Sequence, residues 1–272
     1  MTKHIVMFSG GASSAVVAEY VIKTYGKDNT VLFFTDTYWE DNDNYRFMEE
    51  VSEYLGLPIT THVDGRTPEE VFFETGFLGN SRLARCSEEL KVKQTILYVE
   101  KLLKNKEKPI LYFGIGSHES HRAENLREHY LHFGIEPIET RFPLIETNLK
   151  ETNARQRVRE IWKINLPRMY ALGFSHANCA GRCVRGGFAH YALLYKTWPD
   201  QYKLQEEMEE RFRTKFNKDV SILKKNSGPY TLKALRERFE KEPEYMVKLL
   251  NHQGDDGETE DMQGAPCVCT TD

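Results

Sequence analysis

A short apolar run, His4-Ile5-Val6-Met7-Phe8, passes directly into Ser9-Gly10-Gly11-Ala12-Ser13-Ser14 and then into a helix-like stretch from Ala15 to Tyr25 that stops at Gly26. This junction constrains the fold more than any other segment. A buried strand that feeds a helix through a glycine turn is the opening unit of a parallel sheet, because parallel strands need a crossover between them. The pattern then repeats. Thr30 to Thr35 reads as a second buried strand ending in Asp36, Asn42 to Leu55 as an amphipathic helix closed by Gly56, and Leu57 to Val63 as a third strand. A helix around Glu88 to Lys104 leads to a fourth strand, Pro109 to Phe113, and residues 135–140 offer another. Alternation of this kind predicts an α/β fold, a parallel sheet with helices on both faces.

The chain has 272 residues, enough for one large α/β domain or for one domain and a small lobe. From Asn148 the character changes to helical and basic, with Arg155, Arg157, Arg159, Lys163 and Arg168. Cys179 and Cys183 precede a helix over Gly186 to Thr197, and residues 200–250 read as helical and highly charged. Residues 253–264 have the composition of a flexible acidic linker before Cys267-Val268-Cys269. The expected division is therefore a sheet domain over 1–147, a helical cysteine-bearing region over 148–252, and an acidic linker with a cysteine tail over 253–272.

Hydrophobic residues are 40% and charged residues 29%, which excludes wholesale disorder. A net charge of −4 excludes a strongly basic nucleic-acid coat but not a local basic patch. No apolar run approaches the roughly 20 residues of a membrane span, and Met1-Thr2-Lys3-His4 does not begin a signal peptide. The expected compartment is the cytoplasm. The five cysteines cannot all pair internally, and in a reducing compartment they read as metal ligands or redox thiols.

Strand, glycine turn and helix N-terminus together suit an anion. Gly10 and Gly11 let a phosphate approach the main chain, and the helix start supplies free N–H donors at its positive end. Ser9, Ser13 and Ser14 add hydroxyl donors. The pattern is not a Walker loop, because no Gly-Lys-Ser/Thr follows. The plainer reading is a serine-capped helix after a glycine turn; a position at the end of the first strand favours ligand binding.

The loop resembles the Ser-Gly-Gly-X-Asp-Ser motif of the N-type ATP pyrophosphatases. It is closer to their relatives, the phosphoadenosine phosphosulfate (PAPS) reductase-like family of the adenine nucleotide alpha hydrolase superfamily. Arg85-Cys86-Ser87-Glu88-Glu89-Leu90-Lys91 looks like that family's Cys-Thr-X-X-Leu-Lys segment. Gly114-Ile115-Gly116-Ser117-His118-Glu119-Ser120-His121-Arg122 looks like its Gly-Ile-Arg-X-X-Glu-Ser-X-X-Arg segment, and Phe142-Pro143-Leu144 like its Tyr-Pro-Leu. The resemblance spans roughly residues 4–200 and rests on the order and spacing of these segments.

It implies a Rossmann-like nucleotide-binding sheet, with ATP or PAPS and Mg2+ as cofactors. The implied nucleotide-binding residues are Ser9, Gly10, Gly11, Ser13, Ser14, Asp36, Gly114 and Arg122, and the implied catalytic residues are Ser13, Lys91 and Glu119. Two departures stand out. Ser13 occupies the pyrophosphatase Asp position, and Gly116 replaces a family Arg and so removes one phosphate contact.

Four of the five cysteines Cys86, Cys179, Cys183, Cys267 and Cys269 are candidate ligands of a [4Fe–4S] cluster. Zinc on the same thiols, or with His176 or His190, is the rival. A buried apolar role suits Cys86 equally well, and the Cys-Val-Cys tail also fits a redox dithiol. His118, Glu119 and His121 share one strand-to-helix loop and suit acid–base work or magnesium, or simply a helix start. Asp41 and Asp43 read as solvated helix caps. Arg82, Arg85, Lys91 and Lys93 form one basic stretch and Arg155, Arg157, Arg159 and Lys163 another. With Trp162 and Tyr170 the second outlines either a nucleic-acid groove or a solvated helix face. Tyr195 and Trp198 read as core.

The resulting expectation is a PAPS reductase-like ATP pyrophosphatase that activates an acceptor, a nucleic acid by preference, for sulfur transfer. It would work with a sulfur donor or a thioredoxin-like reductant, as a homo-oligomer or a complex subunit. The alternatives are a PAPS or adenylyl sulfate reductase that releases sulfite, and a non-catalytic nucleotide-binding subunit with structural zinc.

Overall fold

The computed structural model describes residues 1–80, 83–132, 136–225 and 228–251, with the side chains of Lys150 and Glu151 excepted. The first half alternates strand and helix: β1 (Thr2–Met7), α1 (Ala12–Tyr25), β2 (Thr30–Asp36), α2 (Asn42–Leu55), β3 (Ile59–Val63) and α3 (Pro68–Thr75). Then come α4 (Arg85–Ser87), a π-helical turn (Glu88–Val92), α5 (Lys93–Lys104), β4 (Lys108–Tyr112), α6 (Ser120–His132) and β5 (Glu139–Arg141). Among the described residues, β1 to β5 form one parallel sheet in the order β3-β2-β1-β4-β5.

Strand alternation places two cores on the two faces. Val6, Phe8, Leu32, Phe34, Ile110 and Tyr112 pack against α1, α2 and the segment around Val158 and Trp162. Ile5, Met7, Phe33, Leu111 and Phe113 pack against the turn at Val92, α5 and α6. Each such fully buried aliphatic or aromatic side chain contributes about 1.5–3 kcal/mol relative to exposure, which is what holds helices on both faces.

The second half is mainly helical: α7 (Pro143–Glu146), α8 (Ala154–Gln156), α9 (Arg168–Ala171), α10 (Phe188–Thr197), α11 (Pro199–Phe216), α12 (Leu232–Lys241) and α13 (Pro243–Asn251). Its core also takes in Trp39, Phe72, Leu78 and Ala84 from the first half. Tyr195 and Trp198 pack against this core, as the sequence predicts.

Several boundaries differ from the sequence reading for identifiable reasons. Helix α1 starts at Ala12 because the Gly11 carbonyl already accepts the Ala15 N–H at 3.2 Å and the Ser14 hydroxyl at 2.9 Å. Strand β3 starts at Ile59, since the Leu57 N–H is used to close α2 on the Ser52 carbonyl. The helical reading of 200–250 is interrupted by an antiparallel pair, β6 (Leu223–Lys225) and β7 (Gly228–Tyr230). Pro229, which lacks an N–H, cannot continue a helix there. The hairpin is tied down by Glu209, whose buried carboxylate accepts from the N–H groups of Ile222 (2.8 Å) and Leu232 (2.7 Å). Burial pushes that carboxyl up to about 7.

Candidate nucleotide and thiol site

The strand order places the crevice of this sheet at the carboxyl ends of β1, β2 and β4, where open α/β sheets bind ligands. The glycine turn lies there. Gly10 has φ +79°, a conformation that other residues adopt at a cost, and an added Cβ would meet the Asn44 amide of α2 at 2.7 Å. Gly114, at the end of β4, lies so close that an added Cβ would be 2.6 Å from the Ser14 N atom. Two loops therefore meet backbone to backbone over the start of α1, and Gly114 permits the approach. The Ser14 hydroxyl is buried on the Gly11 carbonyl, while Ser9 Oγ lies 3.4 Å from Ser14 Oγ. Asp36, at the end of β2, accepts from Tyr45 Oη and the Tyr38 N–H, each at 2.8 Å.

On one side of the turn a cleft is lined by Ser13, Gly116, Ser117, His118, Asn153 and Arg155. Glu119, next in the chain to His118, is buried and accepts from Arg122. This pairing joins two predicted site residues but turns Arg122 towards Glu119. His121 is exposed on the first turn of α6.

The other side holds three cysteines. Cys86, Cys179 and Cys183 line one pocket, together with Lys91, Arg182 and Arg185. Among the described residues none of these thiols is joined in a disulfide. Cys179, Ala180 and Gly181 form a left-handed turn with φ values of +62°, +45° and +77°. For the two non-glycine residues this costs about 1–2 kcal/mol each. The contacts that hold the turn come from both sides. The Cys179 N–H donates to Glu40 Oε2 at 2.9 Å, Asn178 Nδ2 donates to the Ser9 carbonyl at 2.7 Å, and His190 Nε2 meets the Gly181 carbonyl at 2.7 Å. A side chain at Gly181 would strike Leu194 at 2.7 Å. A hydrogen bond from the Cys179 thiol, and then contact with the His176 imidazole, holds Cys183 well below the usual thiol range; the same bond and burial raise Cys179.

Three thiols on one pocket suit a soft metal as donors. The enclosed space, about 20 Å³, admits a water-sized group but not an iron–sulfur cluster. Among the described residues no group of three or more His, Cys, Asp or Glu side chains is arranged to hold a metal ion. Cys267 and Cys269 lie outside the described residues, as does Arg82.

Lys91 connects the two regions. It sits in the π-helical turn, a local irregularity that recurs at functional positions. It is buried, it lines the thiol pocket, and it lines a second small pocket with Ser9, Phe33 and Thr35. Its ammonium is 3.9 Å from Glu40 Oε1. Glu40 is wholly buried; burial raises its carboxyl above the ordinary range, against the pull of Lys91 and the Cys179 N–H. Sequence reasoning missed Glu40, Asn44 and Asn178, because an acid or amide in a loop carries no spacing signal.

Other expectations are corrected. Asp41 is not a solvated cap; it is 5% exposed and pairs with Arg168 at 2.6 Å. Asp43 binds Arg46 and the Arg168 N–H. In the second basic stretch, Trp162 is buried and stacked on Tyr54, and Arg157 binds Glu19 across the core. Arg155, over the Tyr170 ring at 4.1 Å, is the member that reaches the Ser13 cleft. In the first stretch, Arg85 pairs with Glu88 and Lys93 with Glu89.

Among the described residues no helix is long and apolar enough to cross a membrane. The sequence model of the family described as phosphoadenosine phosphosulfate reductase domain matches residues 3–153. No curated protein matches the chain.

Proposed function

Because the chain belongs to the phosphoadenosine phosphosulfate reductase domain family, we propose that it is a nucleotide-dependent enzyme of sulfur chemistry that uses ATP to activate an acceptor for sulfur transfer. The observation that carries this reading is the position of Lys91, which lines both the pocket beside Ser9 and Thr35 and the pocket of Cys86, Cys179 and Cys183. Anion chemistry and thiol chemistry thus share one buried cation.

In this reading the phosphates of ATP lie over the N–H groups at the start of α1, with Ser9, Gly10, Gly11, Ser13 and Ser14 as the cradle. Asp36, Gly114 and Arg122 complete the nucleotide site, and Mg2+ accompanies the phosphates. An acceptor oxygen attacks the α-phosphorus and pyrophosphate leaves. Loop amides and Lys91 stabilise the departing charge, a preorganised electrostatic role. Glu119 orients Arg122. A thiol-borne persulfide, charged by an external sulfur donor, then displaces AMP from the activated carbon. A second thiolate frees the product sulfur, and a thioredoxin-like reductant restores the resulting disulfide to two thiols.

Arg155 stacked on Tyr170 beside Ser13 supports a nucleic-acid acceptor, since a cation over an aromatic ring suits a phosphate next to a base. In this reading Cys86, Cys179 and Cys183 act as sulfur carriers and not as ligands of a [4Fe–4S] cluster or of zinc, since among the described residues no group of three or more His, Cys, Asp or Glu side chains is arranged to hold a metal ion.

The second reading, reduction of PAPS to sulfite, is favoured by the family description and by thiols bordering a cationic pocket. The test incubates anaerobically purified protein with ATP and nucleic acid, and in parallel with PAPS and reduced thioredoxin. Acceptor-dependent pyrophosphate and AMP are the expected products. Sulfite from PAPS establishes the second reading instead, and nucleotide binding without turnover in either mixture makes the chain a nucleotide-binding subunit. Lys91→Met is expected to lower turnover about 100-fold, the usual loss for one preorganised donor.

A further inference from the structure

Glu40 contacts Lys91, Asn44 and the Cys179 backbone, although its own position in the chain gives no hint of it. Its side chain is fully buried in the loop between β2 and α2. One oxygen accepts the Cys179 N–H at 2.9 Å and lies 3.4 Å from Asn44 Nδ2. The other is 3.9 Å from the Lys91 ammonium. Asn44 in turn fills the space over Gly10, and Lys91 faces the pocket beside Ser9.

The distances rank these contacts. The bond to Cys179 is a full hydrogen bond, whereas 3.9 Å to Lys91 exceeds hydrogen-bond range and couples Glu40 to the ammonium through charge. A polyphosphate on the glycine turn competes for that ammonium. As Lys91 swings towards phosphate, Glu40 loses the charge that fixes its second oxygen, and its hold on the Cys179 N–H changes. The Cys179–Gly181 turn is the element most sensitive to such a change, because it is strained and stands only while its contacts are in place.

We propose that Glu40 is a positioning residue that couples nucleotide occupancy of the phosphate loop to the conformation of the cysteine loop, with Lys91 as the shared cation. This rests on the nucleotide reading above and adds to it the regulation of the thiol pocket by its own substrate. The thiols are set for chemistry when the nucleotide is bound, which limits idle sulfur chemistry in its absence.

The test is amide hydrogen exchange of the 176–185 segment in the full-length protein, with and without α,β-methylene-ATP, which the proposed chemistry cannot cleave. Wild type is expected to change exchange several-fold when the analogue binds. Glu40→Gln keeps one acceptor oxygen but removes the charge, and it is expected to bind the analogue while losing that response. Glu40→Asp provides the second variant should the Gln variant fail to fold, and its shorter reach is expected to diminish the response. Asn178→Ala cuts the direct strap to Ser9 and is expected to retain the response. A purely structural role for Glu40 alters exchange equally with and without nucleotide, and that result overturns the proposal. So does an unresponsive wild type that binds the analogue, or a response that survives in Glu40→Gln. Absence of any analogue binding to wild type removes the nucleotide reading and this coupling with it.

Discussion

Two glycines define the site at the scale of single residues. At Gly10 an alanine combines a left-handed backbone with a contact at 2.7 Å from Asn44. At Gly114 the obstacle is the backbone of Ser13 and Ser14, which cannot rotate away. Gly10→Ala is expected to cost about 1–3 kcal/mol in denaturant unfolding, from left-handed strain plus overpacking. Gly114→Ala is expected to cost at least as much and to displace the start of α1. ATP affinity measured on the folded fraction should fall in both. The glycine turn is legible in the sequence because its backbone needs are written into residue type. Glu40 is not, because its meaning depends on Cys179, which is 139 positions away. Asp41 misleads for the same reason. It stands where a helix cap belongs, and its partner, Arg168, comes from the other half of the chain.

At the scale of elements, periodicity locates the sheet strands and the amphipathic helices, and it fails where tertiary contacts set the boundary. The π-helical turn at Glu88–Val92 and the left-handed turn at Cys179–Gly181 leave no periodic trace, yet they carry Lys91 and the Cys179 thiol. The hairpin of β6 and β7 lies in a stretch whose charge pattern reads as helix, and Glu209 secures it from α11. That carboxyl titrates near 7 in the folded chain, raised chiefly by burial. The folded state therefore holds a proton that the unfolded state releases nearer 4.3, the ordinary glutamate value. Its contribution to stability is fully present below that lower value and is lost as pH rises through about 7. The slope in that window is at most about 1.4 kcal/mol per pH unit from this one group. Glu209→Gln cannot titrate and keeps only one acceptor, so it is expected to be less stable and to show a flatter pH dependence. Urea unfolding of both proteins at a series of pH values between these limits checks this, and parallel slopes would count against it.

At the scale of the whole molecule, the sheet supplies the glycine turn and the helical half supplies the cysteine turn. The two meet because Asn178 and Cys179 reach back to Ser9 and Glu40. The order of motifs along the chain points to the phosphate loop and to the cysteines separately. Only the fold shows that Cys86 from the first half and Cys179 and Cys183 from the second share a pocket with Lys91. The central claim is that phosphate recognition at the start of α1 anchors the substrate next to these thiols. The direct measurement is a calorimetric titration of the anaerobic protein with ATP and, separately, with adenosine. Two or more charge-assisted hydrogen bonds to phosphate should make ATP bind at least ~100-fold more tightly, a difference of about 2.7 kcal/mol. Equal affinity for the two, or binding of neither, would contradict the account.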